Sequence, residues 1–95
     1  MYMSIINAGE AWYILARKLS EAQADKAVTD LTNLGIELIN ADWSLTRSAG
    51  MFKAHHRMSY ADCFAAALAK GHKCELVTGD KEFKQVEEEV SIRWL

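Results

Sequence analysis

The segments "CELVT" (74–78) and "VSIRWL" (90–95) both read as short β-strands, and only about a dozen residues separate them, close to the minimum for a helical crossover. Two strands joined through a helix must run parallel if they share a sheet, because a hairpin cannot connect them. Gly79 permits a tight turn after the first strand. Asp80 then opens a helix that runs to about Glu89. This junction alone commits the second half of the chain to an α/β arrangement.

The rest of the chain extends the pattern. Residues 4–19 form a helix with Ser4 as N-cap, and Ile5, Trp12, Ala16 and Leu19 recur at helical spacing. Residues 21–34 form a second helix with Ala24, Ala27, Val28, Leu31 and Leu34 on one face, ended by Gly35. "IELINA" (36–41) is a short strand, Asp42 caps a helix over 43–56, and Ser59 caps a helix that Gly71 ends. There is no proline, repeat, low-complexity stretch or linker, so the 95 residues are expected to form one domain, 1–95.

The chain is 51% hydrophobic and 25% charged, as an ordinary globular domain would be. No apolar run reaches the ~18 residues of a membrane span. No basic region precedes the first apolar stretch in the manner of a signal peptide. A cytoplasmic protein is expected. A net charge of −2 argues against nucleic-acid binding by bulk attraction, but leaves room for an acidic centre that meets phosphate through a cation. Cys63 and Cys74 form no C-x-x-C pair and have no histidine at zinc spacing, so both are expected to be buried thiols.

Three carboxylates stand out. Asp62 lies in "SYADCFAAALA", otherwise almost wholly apolar. It is the third residue after Ser59, where an acid can complete a capping box and favour the helix dipole. Yet the helix behind it is apolar nearly all round, so it must be packed on several sides, and its first turn emerges near other elements. Asp80 follows a strand directly. Capping explains it, but ligands in open parallel sheets bind beyond the carboxyl ends of strands. Glu10 shares a helix face with Ile6, Tyr13, Ile14 and Arg17, an apolar setting for a surface glutamate. Together, three acids at element ends suit a hard cation such as Mg²⁺ or Mn²⁺, which takes oxygen ligands and activates water against a phosphoryl group.

"MSYADCFAAALA" and "LVTGDKEFKQVEEEVSIRWL" resemble the C-terminal half of PIN-domain proteins, in particular the VapC-type toxin ribonucleases. "YMSIINAGEAWYIL" resembles the segment that carries the family's helical glutamate, so the likeness spans essentially the whole chain. It implies a three-layer α/β/α fold around a short parallel sheet. It also implies an endoribonuclease whose acids hold Mg²⁺ or Mn²⁺ where water attacks an RNA phosphodiester. Glu10 would match the helical glutamate, Asp62 the aspartate that starts the later helix, and Asp80 the aspartate after the fourth strand. Thr78 would match the hydroxyl residue that supports Asp80. A cognate antitoxin and a dimer are implied as well.

One departure stands beside the likeness. The family begins with a central strand bearing a further aspartate, followed by a helical segment, and this chain starts at the strand after them. It therefore resembles an N-terminally shortened PIN domain. Edges near Tyr2–Ser4 and Glu75–Thr78 would be open to pairing with another chain, so oligomers are expected, by strand exchange among other routes. The second functional reading is a catalytically inactive remnant acting by protein binding or self-association. The basic run "KAHHR" supplies candidate RNA-backbone contacts in Lys53, His56 and Arg57, although the same residues also suit a solvated helix C-terminus.

Overall fold

Ser4 ends the first strand and caps the first helix. In the computed structural model, which describes Met1–Leu95, its hydroxyl accepts the Asn7 N–H at 3.1 Å and its side chain is fully buried. The hydroxyl also meets the Asn7 side-chain oxygen. The chain forms two compact units, Met1–Ala41 and Asp42–Leu95.

The first unit runs β1 (Tyr2–Ser4), α1 (Ile5–Lys18), α2 (Glu21–Asn33) and β2 (Glu37–Ile39). Ser20 caps α2 by accepting the Gln23 N–H at 3.0 Å. The Trp12 indole N–H donates to Asp25 at 2.9 Å and ties α1 to α2. With two helices between them, β1 and β2 pair in parallel, Tyr2 opposite Glu37 and Ser4 opposite Ile39.

The second unit runs α3 (Trp43–His55), α4 (Tyr60–Gly71), β3 (Leu76–Thr78), a 3-10 helix (Lys81–Val86) and β4 (Ile92–Trp94). Asp42 caps α3 through the Leu45 N–H at 2.9 Å. α4 carries the core: Cys63, Phe64, Ala66, Ala67, Leu68 and Ala69 are all buried. Ala49 and Phe52 of α3 are buried too, as are Met58, Phe83, Val86 and Val90. Strands β3 and β4 pair in parallel, Leu76 opposite Ile92 and Thr78 opposite Trp94, so the crossover expected from the short spacing is formed. Helices and short parallel strands alternate as the α/β reading requires.

Several local expectations are corrected. β1 falls at Tyr2–Ser4 as expected, whereas β2, β3 and β4 are shorter than the segments 36–41, 74–78 and 90–95, because pairing rather than hydrophobicity sets their length. The segment after Asp80 is a six-residue 3-10 helix, not an α-helix to Glu89. Leu34 is 80% exposed and so lies off the buried side of α2. Cys74 is only half-buried.

The two helix ends at Gly35 and Gly71 differ instructively. After α2 the Ile36 N–H reaches Leu31 O at 3.2 Å and the Gly35 N–H reaches Thr32 O at 3.1 Å, with Gly35 left-handed at φ 95°. This is a Schellman end with glycine where it belongs. After α4 the Cys74 N–H reaches Ala69 O at 3.0 Å and the Lys73 N–H reaches Lys70 O at 3.2 Å. Here the left-handed position is Lys73, at φ 51°, and Gly71 is simply the last helical residue. A lysine pays for its Cβ in that conformation. Lys73→Gly is therefore expected to stabilise the chain by about 0.5–1 kcal/mol, and Gly35→Ala to destabilise it by about 1 kcal/mol, read as urea midpoints. A Cβ at Gly35 would touch nothing within 4 Å, so that loss is a backbone effect alone.

Candidate functional site

Asp62 sits in the first turn of α4, half-buried. Its N–H donates to Ser59 Oγ at 3.1 Å, so the serine caps the helix as expected. The reciprocal half of a capping box, from Ser59 N–H to the Asp62 carboxylate, is not formed. The acid is thus not consumed as a cap, and it sits where the helix dipole favours negative charge. Its charge is felt at the next residue. Burial pushes the Cys63 thiol up from its ordinary value, Lys53 partly opposes that shift, and the Asp62 carboxylate adds to it. A buried thiol pushed in that direction is an inert core group rather than a nucleophile.

Asp80 is exposed and caps the 3-10 helix, its Oδ1 accepting the Glu82 N–H at 2.9 Å. Thr78 at the end of β3 supports it locally, because Thr78 Oγ1 accepts the Asp80 N–H at 3.0 Å. The hydroxyl holds the Asp80 backbone, not its carboxylate. One carboxylate oxygen serves the cap, and the carboxylate lies just beyond the carboxyl end of a parallel strand.

Glu10 belongs to the first unit, half-buried on α1. Its neighbours along that face, Ile6, Tyr13 and Ile14, are themselves exposed, and the Arg17 guanidinium lies 5.1 Å from the Tyr13 ring centroid. The setting is an apolar surface stripe rather than a core. Within neither unit do three His, Cys, Asp or Glu side chains gather into a metal-sized cluster. The donors that the second unit offers, Asp62 and Asp80, are carboxylates. That donor set fits Mg²⁺ or Mn²⁺, which one or two carboxylates can hold while water and phosphate complete the shell, better than it fits zinc.

The basic candidates are partly committed elsewhere. The Lys53 ammonium donates to Met58 O at 2.6 Å. His56 lies 3.4 Å from Glu89, and Lys70 lies 3.6 Å from the same carboxylate. His56, Lys70 and Glu89 line a cavity of about 240 Å³ together with Met51, Phe52 and His55. Glu89 already pairs with Lys70 there, and none of the three acids lines it. Sequence reasoning did not single out Gln85, which is exposed. Its side chain grips the loop before α4, and a partner so distant in sequence leaves no local signal.

The PIN domain family matches residues 1–89. The chain belongs to the PIN domain family. PIN domains are generally nucleases that use divalent metal ions, and the α/β architecture with parallel strands agrees with that membership. No curated protein and no solved structure matches the chain at a significant level. No helix is long and apolar enough to cross a membrane.

Proposed function

We propose that this PIN domain is an endoribonuclease of the VapC toxin type, dependent on Mg²⁺ or Mn²⁺ and neutralised in the cytoplasm by a cognate antitoxin. The observation that carries the reading is Asp62, a half-buried acid at the start of the most buried helix, whose carboxylate the local cap does not use. Asp62 and Asp80 of the second unit, and Glu10 of the first, are the residues assigned as metal ligands. A divalent ion held there would supply an activated water and neutralise charge on the phosphoryl group. Thr78 keeps the Asp80 turn in shape. Arg57, with Lys53 and His56 in lesser roles, meets the RNA backbone and sets position rather than sequence.

Each unit carries a sheet of two strands, and so narrow a sheet presents outer edges to other chains. The protein is accordingly expected to run as a dimer or larger assembly by light scattering after size exclusion, strand exchange being one route. A stable monomer would contradict this.

The test of activity is cleavage of single-stranded RNA with Mn²⁺ or Mg²⁺, set beside the same reaction in excess chelator. Fragments that appear only with metal support the nuclease. One observation favours a second reading, a catalytically inactive PIN remnant that works by protein binding or self-association: neither unit alone gathers three metal-capable side chains. RNA left intact under every metal condition would favour the remnant.

A further inference from the structure

We propose that Gln85 is a positioning residue that sets the spacing between the two acid-bearing elements of the second unit. This rests on the reading of Asp62 and Asp80 as metal ligands. The Arg57 N–H donates to Gln85 Oε1 at 2.9 Å, and Gln85 Nε2 donates back to Arg57 O at 3.0 Å. A side-chain amide thus reads both polar groups of one residue across twenty-eight positions of sequence. Arg57 lies in the loop between α3 and α4, outside either helix, where backbone groups have no intrahelical partner. The same Nε2 also reaches Glu82 O at 3.1 Å, within the turn that Asp80 caps.

Both ends of this bridge are anchored. Met58, next to Arg57, is 3% exposed, and its carbonyl is held by Lys53. Phe83 and Val86, flanking Gln85, are 4% and 0% exposed. Arg57 precedes Asp62 by five residues, and Gln85 follows Asp80 by five. The amide therefore links the lead-in to one carboxylate with the short helix behind the other. A metal held by two carboxylates depends on their separation, and partners that orient ligands without touching the metal commonly change affinity by about 10–100-fold when removed.

The test pairs two readouts on the full chain. Gln85→Met keeps the side-chain volume and deletes all of these bonds. Gln85→Glu keeps an acceptor for Arg57 N–H but, when ionised, sets an oxygen against the carbonyls of Arg57 and Glu82. Mn²⁺ affinity is measured by calorimetry, and exchange of the Arg57 amide by NMR. With helical circular dichroism retained, either variant is expected to bind Mn²⁺ about tenfold more weakly than wild type and to expose the Arg57 amide. An exposed Arg57 amide with unchanged Mn²⁺ affinity would overturn the proposal and leave Gln85 a purely structural clamp. If the wild-type chain binds no Mn²⁺, the metal-site reading itself fails and the proposal falls with it, a result distinct from a variant-only null. If Gln85→Met does not fold, Gln85→Glu decides between the same outcomes.

Discussion

Phe64→Ala is expected to lower the stability of the chain by about 3–5 kcal/mol, the largest effect of any single truncation. Phe64 is 2% exposed and meets Tyr60 edge-on with ring centroids 5.0 Å apart. The residues next to it in α4, Cys63 and Ala65, are small, and a close-packed core relaxes only partly around a lost ring. A domain of this size has about 5–15 kcal/mol in total, so the substitution removes a large share of it. The measurement is urea unfolding followed by circular dichroism. A loss below about 1 kcal/mol would mean that the α3–α4 core is not packed as described. The same variant bears on function, because Asp62 rides on this helix and loses its mounting when the core loosens.

Asp62→Asn has the second large effect, and it falls on chemistry rather than stability. Asparagine keeps the shape and the Ser59 cap, which uses the backbone N–H and not the carboxylate. What disappears is one negative charge and one hard-cation ligand. Metal-dependent RNA cleavage is expected to fall by about 100-fold or more, since even residues that merely orient metal ligands cost about 10–100-fold. The unfolding midpoint should stay close to that of wild type, in contrast to Phe64→Ala. Cleavage unaffected by the substitution would remove Asp62 from the site.

These two residues also show what could be seen in the sequence. The apolar run around Asp62 announces a buried helix, and the Ser59 spacing announces its start. Both signals are local, and both are realised in α4. Ser4, Asp42, Asp80 and Gly35 were legible for the same reason, because a cap or a left-handed turn is decided within a few residues. What was not legible depends on distant partners. Strand ends shifted because pairing between β1 and β2, or β3 and β4, truncates the apolar runs. Lys73 was missed as the left-handed residue because Gly71 stands nearby and glycine is the usual occupant. Gln85 was missed because its partner is the peptide of Arg57. Among the acids, the local settings of Asp62 and Asp80 could be read, helix start and strand end, whereas the half-used capping box required coordinates.

The central claim is that a divalent cation binds this PIN domain through Asp62. The most direct measurement is calorimetric titration of Mn²⁺ into the purified chain, beside the same titration of Asp62→Asn. The account predicts saturable binding by the wild-type chain and its loss, or a weakening of about 100-fold, in the variant. Equal binding by both, or none by either, would contradict it.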